Sequence, residues 1–274
     1  PGLEVTEPRV VFNRMSPSAW QRGRAPAVLY TTHFMRHLED SGVRVINGFD
    51  AWSTEISKAY QISLLRGLGL PYPKTVALND PACALDAARG LRFPIIVKPN
   101  LGGSGAGVRR FDSLGELERA VPDLDFGIDH TGLVQEYIPP RGGHIVRVEV
   151  LDGRFLYAIA VYPPEDGFNL CPADACVGSD GESLQRSFCA VDAPENGLRV
   201  EAFTPPPEVV SQVERLMEAA GIEVGGVEYV VDDRDGQLYY YDVNALSNFV
   251  ADAEKVIGFD PFARLVDWLE RELD

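Results

Sequence analysis

A lysine followed by a run of glycines is the first feature of the sequence that could bind a ligand. Lys98 ends a short apolar run, and residues 101–107 after it are mostly glycine. Glycines let the backbone approach a phosphate closely and direct several N–H groups at it, and the lysine adds a point charge. A flexible hairpin loop is the alternative interpretation. The candidate phosphate contacts in the loop are Gly102, Gly103, Ser104 and Gly105.

The order of the lysine and the glycines argues against two common types of phosphate-binding loop. A Walker-type loop is excluded because the lysine precedes the glycines instead of following them. A dinucleotide-binding turn requires a helix after the glycines, whereas a strand starting at Val108 is predicted here.

Two acids and an amide near the end of the chain could hold a divalent cation. Asp242 and Asn244 end a predicted strand, and the strand period of two places both side chains on one face. A neighbouring antiparallel strand can bring Glu228 beside them. Two carboxylates and an amide oxygen suit Mg²⁺ that also keeps phosphate ligands. Solvated acids at strand ends are the alternative.

Further candidates are less specific. The segment Gln135, Glu136, Tyr137 and Ile138 leads from a strand into Pro139-Pro140 and offers main-chain groups to an adenine edge, or simply connects two lobes. Surface charge is the default explanation for the scattered cationic residues. These are Arg14, Lys58, His144 and Arg147.

Apolar periodicity and turn residues predict the elements that position these groups. We expect one helix over residues 52–68, with Ser53 as its N-cap and Gly69 at its end. Segment 163–194 has no clear period and is typical of a functional loop. The other predicted helices cover 27–38, 81–90, 113–121, 206–220 and 262–273. Predicted strands cover 10–12, 43–46, 94–98, 133–138, 146–151, 155–162, 227–231 and 238–243, with another from Val108.

Composition limits the class of protein. The chain has 274 residues and a net charge of −16, which argues against a general nucleic-acid binder. No apolar run reaches the roughly 20 residues that span a bilayer, and no secretory leader opens the chain. We therefore expect a cytoplasmic protein with no nucleic-acid or membrane partner, and a homo-oligomer is left open.

The cysteines lack C-x-x-C spacing, so we interpret them as thiols in a reducing compartment. The alternative is that Cys171 and Cys176 bind a metal. The four cysteines are Cys83, Cys171, Cys176 and Cys189.

Taken in order, these motifs resemble the ATP-grasp superfamily, closest to the branch of ribosomal-protein glutamate ligases and lysine-biosynthesis ligases. The resemblance runs from about Arg9 to the C-terminus. It implies an α+β fold in which two lobes clamp ATP, preceded by a short α/β lobe. The implied domains are a truncated or short first lobe at 1–50, a small lobe with the glycine-rich loop at 51–137, and a C-terminal lobe with the metal site at 138–274.

The resemblance also implies an activity and a role for each candidate. ATP would phosphorylate a carboxylate, and an amine would displace the phosphate, with Mg²⁺ or Mn²⁺ as the cofactor. Lys58 and Lys98 would hold the α- and β-phosphates, and the glycine-rich loop would cover them. Gln135–Ile138 and His144 would contact the nucleoside. Arg14, Arg147 and Asn169 would face the acyl phosphate or substrate, and Glu228, Asp242 and Asn244 would bind the metal.

The sequence departs from the family pattern at two places. Ile145 stands where an aspartate is usual, and Phe168 precedes Asn169 where an arginine is usual. A carboxylate–amine ligase acting on small-molecule or peptide substrates is the main interpretation. The alternatives are an ATP-dependent kinase of the same fold, and a nucleotide-binding regulatory protein without turnover.

Overall fold

Three β-sheets organise the fold, which the computed structural model describes over residues 8–102, 107–162 and 199–273. Among the described helices, none combines the length and the apolar character that crossing a membrane requires. Cys83 is exposed and has a free thiol. Several predictions lie outside the described residues, namely the loop 163–194 and those made for Gly103, Ser104, Gly105, Asn169, Cys171, Cys176 and Cys189.

The first sheet consists of two parallel strands joined by a helix. Strand β1 (Val10–Phe12) pairs with β2 (Arg44–Ile46), and α1 (Ala25–Asp40) connects them. The predicted strands and helix are confirmed, although α1 starts two residues earlier and ends two residues later than expected. Arg14 follows β1 by two residues, so this small sheet determines where its guanidinium lies.

The expected helix over residues 52–68 is wrong, because the segment forms two helices. Helix α2 (Phe49–Glu55) and helix α3 (Lys58–Gly67) are separated by Ile56 and Ser57. Ser57 has an extended backbone, and its side chain accepts a hydrogen bond from the N–H of Tyr60. A serine that caps a new helix competes with continuation of the old one. The expected N-cap Ser53 lies inside α2, where its hydroxyl donates to the Phe49 carbonyl at 2.8 Å.

The second sheet has four antiparallel strands. Their order is β3 (Thr75–Leu78), β6 (Gly132–Glu136), β4 (Ile95–Pro99) and β5 (Arg109–Phe111). Helices α4 (Ala84–Ala88) and α5 (Leu114–Ala120) pack apolar side chains against it. The helix expected at 81–90 is shorter, since residues 81–83 form a 3₁₀ turn and α4 ends at residue 88.

The third sheet has five antiparallel strands and carries most of the core. Helix α6 (Pro207–Ala219) packs on one face, while α7 (Ala253–Val256) and α8 (Pro261–Leu273) pack on the other. The two predicted hairpins are confirmed, whereas β9 and α7 were not predicted. The strand order is β11 (Leu238–Asn244), β10 (Gly225–Val231), β7 (Ile145–Leu151), β8 (Arg154–Tyr162) and β9 (Arg199–Phe203).

Helices α2 and α3 pack against the five-stranded sheet. The buried Gln61 of α3 donates to the carbonyl of Val243 at 2.8 Å and accepts from the Val243 N–H at 3.1 Å. The α+β class predicted from the sequence is confirmed. The division at residues 50 and 137 stays a prediction, and we propose that residues 49–67 belong with the C-terminal lobe.

Candidate functional site

The acidic candidates meet on neighbouring strands of the five-stranded sheet. Glu228 on β10 is the direct partner of Asp242 on β11 and of Arg147 on β7. Asn244 lies on the same face as Asp242, and its Nδ2 donates to Asp242 Oδ2 at 3.3 Å. The antiparallel pairing therefore brings together the three residues predicted as metal ligands.

Lys58 reaches this acidic group from the N-terminus of α3. Its Nζ donates a hydrogen bond to Asp242 Oδ1. The start of α3 is fixed to the end of β4 by Asn100, whose Oδ1 accepts from the Ala59 N–H at 2.8 Å and from the Ser57 hydroxyl at 3.2 Å. The glycine-rich loop also begins here, because a Cβ built on Gly102 would lie 4.0 Å from Lys58 Cε.

Lys98 faces the same group from the four-stranded sheet. Lys98 is only 6% exposed, although its side chain ends in an amine that can carry a positive charge. Burial, and then the nearby charge of Lys58, lower the pKa of Lys98 to about 7, while Asp242 and Glu228 act in the opposite direction. Within the described ranges, Lys98 has no hydrogen bond or ion pair from its side chain. This ammonium is therefore available to an anionic ligand.

Burial and neighbouring charges shift the pKa values of Asp242, Lys58 and Glu228 in different directions. Burial acts to raise the pKa of Asp242, but Lys58 and Lys98 together hold it below its usual value. Burial likewise acts to lower the pKa of Lys58, and Asp242 raises it above the usual value. For Glu228, burial and the charge of Asp242 raise the pKa despite Arg147. A cation bound between these two carboxylates would relieve their mutual repulsion.

Arg147 lies between the buried Glu149 and the partly buried Glu228. Its Nε donates to Glu149 Oε1 at 2.6 Å, and its Nη1 donates to Glu228 Oε1 at 3.1 Å. Glu228 also accepts a hydrogen bond from the Tyr241 hydroxyl at 2.8 Å. Glu149 was not among the predicted site residues. Its signal is in the sequence, because charged residues at 147 and 149 alternate with valines in a predicted strand.

Glu55 is a second acid that the sequence analysis missed. Its Oε2 accepts a hydrogen bond from the Ala245 N–H, directly after β11, at 2.5 Å. Burial raises the pKa of Glu55 to about 7, opposed by that hydrogen bond and assisted by the charge of Asp242. No local pattern singles it out, because its role depends on contact with a strand 190 residues away.

The hinge candidates Gln135–Ile138 lie at the end of β6, and hydrogen bonds to neighbouring residues fix most of them in place. The buried Gln135 donates to Thr75 Oγ1 at 2.8 Å, and Glu136 Oε1 accepts from the Arg92 N–H at 2.9 Å. The Tyr137 N–H donates to the carbonyl of Pro94 at 3.0 Å, and Ile138 is buried in the core beneath β8. A contact of this segment with adenine stays a prediction.

Two other candidates contact residues outside the acidic group. The Arg14 guanidinium donates to the Ser247 carbonyl and to Asn248 Oδ1, both at 2.5 Å, in the segment after β11. The His144 ring packs against Tyr162 and Phe203, with ring centroids 5.0 and 6.0 Å apart. The substrate role of Arg14 and the nucleoside role of His144 stay predictions.

The donor set fits a cation that completes its shell with phosphate and water. Two carboxylates and one amide oxygen are too few ligands for a closed protein cage around Mg²⁺. Residues 8–102, 107–162 and 199–273 contain no group of three or more His, Cys, Asp or Glu side chains placed to hold a metal.

A cavity of about 440 Å³ lies elsewhere, between the β7–β8 turn and α8, and none of the predicted site residues lines it. Its walls combine arginines with apolar side chains, including Arg154, Leu156, Arg264 and Trp268. The cavity is separate from the acidic group.

Comparison with curated proteins finds similar ligases and synthases. Human beta-citrylglutamate synthase B is 25% identical over 271 residues, which cover 97% of this chain and 61% of that protein. D-alanine–D-alanine ligase from Pseudomonas putida (strain GB-1) is 27% identical over 225 residues, covering 80% of this chain and 65% of the ligase. The chain thus spans less than two thirds of the length of these relatives. No protein-family model matches it.

Comparison with solved structures concerns the fold. The ATP-grasp ligase PsnB, solved with a minimal precursor, Mg and ADP, superposes with a TM-score of 0.65 at 23% identity. The match covers 100% of this chain and 80% of PsnB. The sheets that carry Lys98 and the Glu228–Asp242 pair are therefore arranged as in that ligase fold. The chain therefore shares the fold of the ATP-grasp ligases among the solved structures.

Proposed function

We propose that the protein is an ATP- and Mg²⁺-dependent ligase that joins a carboxylate to an amine. The observation that carries the proposal is the meeting of Lys58 and Lys98 with the Glu228–Asp242 pair. Lysines from two different elements supply positive charge for a polyphosphate, and the facing carboxylates supply the oxygen ligands that Mg²⁺ prefers.

The similar proteins support the choice of reaction. Beta-citrylglutamate synthase and D-alanine–D-alanine ligase are named for joining an acid to an amino compound, and PsnB is a ligase solved with Mg and ADP. Because this chain covers less than two thirds of the curated relatives, their activity enters here as a proposal. We infer an amino acid or a peptide as one of the two substrates.

The proposed reaction has two steps. A carboxylate oxygen of the acid attacks the γ-phosphorus of ATP, the bond to the bridging oxygen breaks, and ADP leaves. The amine then attacks the acyl carbon of the acyl phosphate, the bond to the phosphate oxygen breaks, and phosphate leaves with an amide as product. The ammonium protons of the amine are lost to solvent or phosphate.

The residues of this chain would act mainly through charge and position. Lys58 and Lys98 would hold phosphate oxygens, and Arg147 would stabilise charge on the transferring phosphoryl group. Glu228, Asp242 and Asn244 would hold Mg²⁺, which neutralises charge on the phosphate oxygens when bound. Lys58 would exchange Asp242 for phosphate as the cation arrives.

Adenine and substrates would bind at either end of this phosphate site. The segment Gln135–Ile138 lies at the end of β6, and the main-chain groups there that are not already hydrogen-bonded, as the Tyr137 N–H is to Pro94, would face an adenine edge. Arg14 donates to Ser247 and Asn248 in the segment that follows β11, and its guanidinium would suit a substrate carboxylate.

A screen for ADP release tests the proposal. Pools of carboxylates and amines are incubated with ATP and Mg²⁺, and ADP and product mass are followed. We expect release only when an acid and an amine are both present, and loss in Lys98→Ala and in Asp242→Ala, by about 10²–10³ per lost electrostatic group. A phosphorylated product formed without an amine would indicate a kinase, and ATP binding without turnover would indicate a regulatory protein.

A further inference from the structure

The ion pair between Arg147 and Glu149 is unusually well shielded from water. The Arg147 and Glu149 side chains are 6% and 3% exposed, and Glu228 on the other side of the guanidinium is 15% exposed. Hydrogen bonds between charged groups are stronger than neutral ones, and a low local dielectric strengthens them further. These two carboxylates therefore contribute to the position of the guanidinium.

The two carboxylates have different surroundings. Glu228 belongs to the acidic pair and accepts hydrogen bonds from two donors, Arg147 and the Tyr241 hydroxyl. Glu149 Oε2 is buried and has no hydrogen-bond partner among the described residues. A buried acceptor without a partner is costly unless the charge beside it is retained. Glu149 is thus bound to the guanidinium more exclusively than Glu228 is.

The backbone leaves room for this pair at a glycine. Arg147 and Glu149 share one face of β7, and Gly226 is the β10 partner of Glu149. A Cβ built on Gly226 would lie 2.9 Å from Glu149 Oε2 and 3.0 Å from Arg147 Nη2. The two side chains consequently lie over the glycine, in space that any other residue would fill.

We propose that Glu149 is a positioning residue that holds Arg147 at the phosphoryl side of the site. The inference rests on the proposed function, in which Glu228 becomes a ligand of Mg²⁺. With Glu228 holding the cation, Arg147 Nη1 would lose its hydrogen bond to Glu228. Glu149 keeps the Nε side of the guanidinium in place, so the released Nη1 turns to the γ-phosphoryl group instead of leaving the site.

Nucleotide binding by Glu149→Gln tests this role without any need for substrates. The affinities for ADP and for the non-hydrolysable ATP analogue AMPPNP are measured by calorimetry with Mg²⁺, together with the melting temperature. We expect AMPPNP to bind about tenfold more weakly, as for loss of a charge-assisted hydrogen bond, and ADP to change less than about twofold. Glu201→Gln is the matched control, because this acid is exposed on β9 of the same sheet. It should change neither affinity.

A second comparison separates positioning from a general structural effect. In an Arg147→Lys background, the change of Glu149 to Gln should cost less than about twofold in AMPPNP affinity, because a positioning residue acts through its partner. Additive losses, or equal weakening of ADP and AMPPNP, would overturn the inference. If Glu149→Gln does not fold, Glu149→Asp keeps the charge with a shorter reach and should show the same selective loss.

These outcomes are distinguishable from failure of the proposed function. A wild-type protein that binds neither nucleotide would overturn both proposals. A wild-type protein that binds both nucleotides but never turns over would overturn the ligase proposal alone, and the selective loss of AMPPNP would still support Glu149. Wild-type turnover with no selective loss in Glu149→Gln would overturn the positioning role alone.

Discussion

Lys58 donates a hydrogen bond to Asp242, which lies 184 residues further along the chain. The pair connects the first residue of α3 to the end of β11 and places a cation directly against a predicted metal ligand. Its side chains are 20% and 21% exposed, so water does not screen the interaction completely. In the proposed function, the lysine would neutralise the carboxylate until a divalent cation and a polyphosphate replace that contact.

Replacing Lys58 with methionine should abolish most turnover while leaving the fold intact. The substitution keeps the aliphatic length but removes one electrostatic contact to the phosphates, for which a loss of about 10²–10³ in rate is typical. Steady-state ADP release measures the effect. Lys255→Met is the control, since Lys255 forms an exposed ion pair with Asp252 at 3.2 Å. Equal activity in both variants would remove Lys58 from the site.

Nucleotide binding should draw a proton onto Lys98 at pH 8. The pKa of this lysine is lowered to about 7 by burial and by Lys58, so the free protein holds it mostly neutral at pH 8. Phosphate charge favours the ammonium form and raises the pKa again. Calorimetry in buffers of different ionisation enthalpy should show uptake of about one proton per ATP. Lys98→Arg stays charged throughout, and unchanged uptake in that variant would assign the proton elsewhere.

The stability of the fold should depend on Glu55 between pH 4.5 and 7. The pKa of Glu55 is raised from 4.5 to about 7, first by burial. In that window the folded state holds a proton that the unfolded state lacks, so this contribution is full at low pH and is lost as pH rises to 7. Relative to Glu55→Gln, the wild type should lose roughly 1–3 kcal/mol between pH 5 and pH 8 in urea unfolding. A difference independent of pH would contradict the shift.

Gly226→Ala should destabilise the protein and disturb the Arg147–Glu149 pair. The new methyl group would lie within about 3 Å of both charged side chains, and overpacking of this kind typically costs about 1–3 kcal/mol. The control is Gly67→Ala, because a Cβ there meets nothing within 4 Å and the residue lies in α3. Thermal unfolding should separate the two variants, and an unchanged midpoint for Gly226→Ala would show that the pair can move aside.

Much of the fold could be predicted because its signals are local. The hairpin of β7 and β8 is indicated by alternation and by the Asp152-Gly153 turn, and the hairpin of β10 and β11 by the Asp235-Gly236 turn. The break between α2 and α3 was missed because Ser57 reads as one more polar position in a helical pattern. Only the capping hydrogen bond from Tyr60 and the hydrogen bond from the Ala59 N–H to Asn100 show that a new helix starts there.

Some residues of the candidate site could likewise be predicted from local patterns, whereas others depend on contacts with distant parts of the chain. Glu228 and Asp242 lie on predicted neighbouring strands, so their approach follows from register. Glu55 depends on a contact with Ala245 that no local pattern contains. Glu149 was visible as an alternating charge in β7, but its meaning depended on Gly226 in the next strand, which leaves the necessary space.

The transfer of labelled oxygen from the acid to phosphate tests most directly whether the reaction passes through an acyl phosphate. Once the screen identifies an acid, its carboxylate oxygens are replaced with heavy oxygen, and the released phosphate is analysed by mass spectrometry. The proposed acyl phosphate predicts that one labelled oxygen per turnover moves from the acid to phosphate, and that Asp242→Ala abolishes the transfer. Label found in AMP, retained in a phosphorylated product, or absent from phosphate during amide formation would contradict the account.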